Sequence, residues 1–215
     1  PAAIVLAKVF MPEAEKEKIN KQLKVNRDQM GVNFIDSLAR GATDGLKLAL
    51  NIAAMLLAFI AVIYAINWVL VDGVGAATGL NQFVVESTGG AFDGFSLQYI
   101  LGQVFRVFAF MMGVEWGDTL QVGSLLGQKV VVNEFVAYLD LAKMNQAGVL
   151  NEKSLRIATY ALCGFANFSS IAIQIGGIGG MAPNRQGDIS RMGLRAMVAA
   201  TLATMMTATI AGAIF

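Results

Sequence analysis

The chain of 215 residues is 56% hydrophobic and 14% charged, against about 45–50% apolar and about 25% charged in an ordinary soluble domain. That balance excludes a disordered chain, and the net charge of +1 is too even for a partner that is a nucleic acid polymer. There is no histidine and one cysteine, Cys163, which excludes histidine-assisted nucleophiles, histidine zinc sites and an internal disulfide.

The residues therefore argue against an enzyme, and Cys163 reads as a small buried apolar residue. In chain order, residues 1–11 form a short apolar stretch carrying Lys8, which reads as the second half of a helix begun upstream. The chain is accordingly expected to be a piece of something longer. Residues 13–44 are charged, with Lys16, Lys18, Lys21, Lys24, Arg27 and Arg40, and read as a solvated segment at a membrane surface. Residues 48–71 carry no charge, and Asn51 and Asn67 are their strongly polar members. At 1.5 Å rise such a helix spans about 36 Å, enough to cross a hydrocarbon core of about 30 Å. Residues 72–94 are rich in Gly, Ser and Thr and read as an exposed loop. Residues 95–112 are aromatic and apolar around Arg106 and read as an amphipathic helix along the interface. Lys and Arg are dense before residue 48 and sparse between residues 72 and 106, so residues 1–47 are expected to end in the cytoplasm and residues 72–115 to lie outside.

Residues 116–144 are apolar enough to enter a membrane, yet they carry Lys129 and Glu134. The halves 119–126 and 130–144 are each too short to cross, so a re-entrant helical hairpin is expected. An ionisable group at membrane depth usually marks a substrate or ion pathway. Glu134 is the leading candidate, because a carboxylate accepts two hydroxyl donors at once, as a vicinal diol would offer. The competing reading is a structural ion pair with Lys129. Asn133 suits a site or a helix cap. Residues 157–182 are uncharged but hold Asn167, Ser169, Ser170 and Gln174, then Gly176, Gly177, Gly179 and Gly180. That glycine run is expected to loosen or break the helix, with a close helix-packing face as the alternative. Asn167 and Ser170, three apart, share a helical face. Phe165, read from the residues alone, is a core aromatic. Residues 196–215 are a third uncharged run, long enough to span. The fold class is all-α membrane protein.

Gly127-x-Lys129-x-x-x-Asn133-Glu134-Phe135-Val136-Ala137-Tyr138 resembles the signature of the concentrative nucleoside transporters. Gly164-Phe165-Ala166-Asn167-Phe168-Ser169-Ser170 resembles the second broken helix of that family, and the likeness runs through the whole chain. The resemblance implies one half of an inverted-repeat transporter. Its parts are a long transmembrane helix at 48–71 and, within 116–215, a re-entrant hairpin, a discontinuous helix and a final transmembrane helix. It implies substrate binding by Glu134, Asn167, Ser170 and Phe165, with Gly127, Lys129 and Asn133 as supporting residues of the motif. It further implies a nucleoside such as uridine as substrate, a homotrimer in the lipid bilayer of the cell membrane, the inner membrane in a bacterium, and no cofactor. A coupling cation, sodium or proton, is implied with its site mainly outside this chain. The competing function is a non-transporting membrane nucleoside-binding or assembly domain; a channel with Glu134 as its selectivity charge is a further one.

Overall fold

Asn33 opens the first long helix: its side chain accepts the Asp36 N–H at 2.9 Å, which satisfies one of the donors a helix start leaves orphaned. A computed structural model describes residues 1–12, 33–181 and 183–214. The polar stretch 13–32, with Lys16, Lys18, Lys21, Lys24 and Arg27, lies outside the described residues, as do Ala182 and Phe215. Every element among the described residues is helical: α1 Ala2–Phe10, α2 Phe34–Asn67, α3 Leu80–Ser87, α4 Leu97–Met111, α5 Thr119–Val131, α6 Glu134–Gln146, α7 Glu152–Leu162, α8 Phe168–Met181 and α9 Gln186–Ile214.

The long helix differs from expectation at both ends. It starts at Phe34 rather than at residue 48, because charge moves a helix out of an apolar layer without ending it. It runs on past residue 71 through a π-helical stretch, Trp68–Gly75, and a last turn, Ala76–Thr78. The stop is Gly79 at φ +75°, a left-handed conformation that suits glycine. Much of the loop expected over 72–94 is therefore helical, α3 included. Two asparagines tie this region to the start of α4. Asn67 accepts the Leu97 N–H at 2.8 Å and donates to the Gln98 side chain at 2.9 Å. Asn81 accepts the Phe95 N–H and donates to the Val71 carbonyl, each at 2.9 Å.

The next helix is not a solitary interfacial rod. α4 lies against α5 along a seam of glycines. A Cβ on Gly123 would stand 2.6 Å from the Gly102 carbonyl oxygen and 2.8 Å from the Arg106 nitrogen, and one on Gly102 would stand 2.9 Å from the Leu120 carbonyl. Gly127 faces Leu101 as closely. Small residues let helix backbones approach in this way. The α4 side chains Val104, Val107, Phe110 and Met111 stay exposed.

α5 and α6 form a helical hairpin. Its base is closed by Asn151, whose N–H donates to Asp118 at 3.1 Å and whose side chain donates to Glu115 at 2.6 Å. The tip is Val132 and Asn133, not the neighbourhood of residues 127–129, because Gly127 is engaged in the α4 seam and Asn133 caps α6. α7 ends at Leu162 and α8 begins at Phe168, so the interruption lies at 163–167. The glycines at 176–180 remain helical; propensity is a weak prior that context overrides. What breaks the helix is Gly164, at φ +153°, where an added Cβ would stand 2.7 Å from the Thr204 methyl. Cys163, expected to be buried, is exposed at this break, since it follows the last turn of α7. The final helix α9 begins at Gln186, ten residues before the uncharged run.

The core joins α4, α5, α6, α7 and α9 through residues such as Ala109, Leu125, Ala137, Leu141, Ile157, Leu162 and Ala208. Truncating one of its leucines or isoleucines to alanine costs about 2–5 kcal/mol. α1 packs on α9. By length and composition, Ile60–Thr78 and Gln186–Ile214 are long and apolar enough to cross a membrane. The first of these is almost wholly exposed and the second partly buried.

Candidate functional site

Two helices start at one place. Glu134 is the first residue of α6, and Asn133 before it caps the helix by accepting the Val136 N–H at 3.0 Å. Asn167 stands just before α8 and caps it by accepting the Ser170 N–H at 2.7 Å. Each start presents unpaired N–H groups and the positive end of a helix dipole. The hairpin tip and the helix break thus bring two such ends together.

The shortest contact between them is a hydrogen bond: the Asn167 side-chain amide donates to Glu134 Oε2 at 2.8 Å. Asn167 is buried, and its Oδ1 also accepts from the hydroxyls of Ser169 at 2.7 Å and Ser170 at 2.8 Å. That network orients the amide, because a flipped side chain would set its NH₂ against the Ser170 N–H. The Ser169 hydroxyl also lies 3.5 Å from the Val132 carbonyl at the tip. Glu134 is half-buried. An ionised carboxylate has about four acceptor positions; the bond from Asn167 uses one, and the others remain for hydroxyl donors of a ligand.

The structure sorts the remaining candidates. Ser170 is buried beside Asn167, as their spacing predicts. Phe165 is not a core residue: it is 71% exposed at the break. It lines a cleft of about 420 Å³ with Asn167, Ser170, Ile171 and Gln174 of the broken helix and Met192 and Met197 of α9. Asn133 serves as a cap, and Gly127 serves the α4 seam. Lys129 makes no ion pair with Glu134. Its ammonium donates instead to the Ala161 carbonyl and to the Thr204 hydroxyl, each at 2.9 Å, which corrects the ion-pair alternative. Tyr138, further along the same motif, donates to the Thr159 carbonyl at 2.7 Å. Sequence reasoning missed Thr204, which stood in an Ala-, Thr- and Met-rich run with nothing to set it apart. No group of three or more acidic or cysteine side chains able to hold a metal ion occurs among the described residues.

The family described as Na+ dependent nucleoside transporter C-terminus matches residues 1–212. An uncharacterized transporter of Bacillus subtilis is 45% identical over 213 residues, covering 99% of this chain and 49% of its own length. Solute carrier family 28 member 3 of Homo sapiens is 40% identical over 229 residues, covering 99% of this chain and 31% of its own length. Among solved structures, CNTnw in an inward-facing substrate-bound state superimposes with a TM-score of 0.77 at 38% identity, covering 99% of this chain and 47% of that one. A variant of CNTnw in an outward-facing state gives a TM-score of 0.81 at 39% identity, covering 99% and 48%. The chain spans about half the length of its bacterial relative and of these structures.

Proposed function

The chain belongs to the concentrative nucleoside transporters, an integral membrane family, and from that premise we propose that it is the carboxyl-terminal half of a cation-coupled nucleoside importer working by alternating access. In this reading α2 is a transmembrane scaffold helix, and α5 and α6 are a re-entrant hairpin. Each of these two has 13 residues and spans about 20 Å, short of a hydrocarbon core of about 30 Å. α7 and α8 are the discontinuous helix and α9 is the final span, together making one half of an inverted repeat.

The observation that carries the reading is the 2.8 Å bond from Asn167 to Glu134. It joins the hairpin tip to the helix break at a half-buried carboxylate. The ribose hydroxyls of a nucleoside such as uridine donate to Glu134, Asn167 and Ser170 complete the polar side, and Phe165 offers an apolar wall. Uphill import needs coupling, because a ligand shifts a conformational equilibrium only by its differential affinity for the two states. The coupling cation, sodium or proton, supplies that difference mainly through residues outside this chain. The assembled protein is a homotrimer in the cell membrane, the inner membrane in a bacterium.

The test is Glu134→Ala in the full-length protein, with uridine binding followed by calorimetry and the oligomer by gel filtration. Two hydrogen bonds to a charged group are worth about 3 kcal/mol or more, so affinity should fall on the order of a hundredfold. Unchanged binding refutes the assignment of Glu134. Counterflow of labelled uridine in proteoliposomes distinguishes a transporter from a binding domain, which exchanges nothing across the bilayer.

A further inference from the structure

We propose that Lys129 is a positioning residue that holds Glu134 and Asn167 in register by tying the hairpin tip, the end of α7 and α9 to one ammonium group. The proposal rests on the reading of Glu134 as the ribose acceptor. Lys129 is 1% exposed, its ammonium donates to two neutral oxygens, and it makes no ion pair among the described residues. Burying an ammonium costs several kcal/mol, and a packed apolar side chain of like volume would avoid that cost. Stability alone is therefore a poor reason for a lysine here.

Its two acceptors explain the choice. The Ala161 carbonyl belongs to the last turn of α7. Carbonyls there have no N–H of a following turn to accept from, because the helix breaks just beyond, and they carry the negative end of the dipole. The ammonium stands in for the missing turn. The second acceptor, Thr204, gives its own proton to the Thr201 carbonyl at 2.8 Å, which leaves its oxygen free to accept from Lys129. The Thr204 methyl also meets the break at Gly164. Lys129 lies about one turn before the tip, and Ala161 lies two residues before the break. The same group therefore braces from behind both partners of the 2.8 Å contact between Glu134 and Asn167.

The experiment uses the full-length protein and uridine calorimetry. Lys129→Met keeps the volume and removes every donor; uridine affinity should fall about tenfold or more, as for loss of a hydrogen bond from a charged group. Combined with Glu134→Gln, it should weaken binding no further than Glu134→Gln does alone, because positioning a group that no longer works has no value. Additive losses overturn the proposal, since a merely structural role would add. Wild-type affinity in Lys129→Met, with Glu134→Ala inactive, overturns it while leaving the site reading intact. Binding retained by Glu134→Ala overturns the site reading instead. If Lys129→Met does not assemble, Thr204→Val and Thr204→Ser decide. Val should weaken binding and Ser should retain it, and wild-type affinity in Thr204→Val overturns the proposal.

Discussion

The glycine seam between α4 and α5 makes a prediction whose size follows from its distances. In Gly123→Ala the new methyl would stand 2.6 Å from the Gly102 oxygen and 2.8 Å from the Arg106 nitrogen, where ordinary contact begins at 3.4 Å. Both neighbours are backbone, so no side chain can swing away and the helices must part by as much as 0.8 Å. A gap of that size forfeits a quarter to a half of each dispersion contact along the seam, and overpacking of this kind costs about 1–3 kcal/mol. The helix propensity of alanine returns up to about 1 kcal/mol. With the full return the net loss is up to about 2 kcal/mol, which corresponds to a fall of up to roughly 8 °C in Tm for a unit of this size. The assay is thermal unfolding of the purified full-length protein in detergent. Gly41→Ala is the control: nothing stands within 4 Å of its added Cβ, and it lies inside α2, so it should leave Tm unchanged or raise it. If Gly123→Ala unfolds at the same temperature as Gly41→Ala or higher, the close seam is not what packs the hairpin.

Two further substitutions address the tip and the break. Asn133→Ala should lower stability by about 1 kcal/mol and Asn133→Ser should restore most of it, because the cap needs only a short acceptor; thermal unfolding reads both. Asn167→Asp sets a second carboxylate within 2.8 Å of Glu134 and removes the donor between them. Uridine binding should be lost at neutral pH and partly regained as the pH falls, because two carboxylates at this separation hold a shared proton and a protonated one can donate again. Calorimetry across pH checks this, and binding at neutral pH equal to wild type contradicts it.

The uncharged runs announced the helices, and the motif around Glu134 announced a hairpin but not the place where it turns, because both signals are local. The errors came where a local signal was weak or ambiguous. Arg40 and Asp44 suggested that α2 starts late, yet Arg40 pairs with Asp36 one turn earlier inside the helix, and Asn33 was the true start signal. The glycines at 176–180 drew attention from Gly164, which has a positive φ and lies close to Thr204 of α9, 40 residues on. Asn167 could be recognised as polar but not as a cap that also reaches Glu134, 33 residues away in sequence. The partners of Lys129 lie 32 and 75 residues away, so the five-residue spacing to Glu134 suggested the wrong pair.

Helix α4 has two unlike attachments, and their difference determines where the molecule yields. Toward the hairpin it is held backbone against backbone through Gly102 and Gly123, a joint with no soft torsion to absorb a displacement. Toward the long helix it is held by the side chains of Asn67 and Asn81, which rotate about their own bonds and can exchange one polar partner for another. Compliance therefore concentrates at the asparagines. In the alternating-access reading proposed above, a shift of the hairpin relative to α2 carries α4 along and is taken up at the two amides.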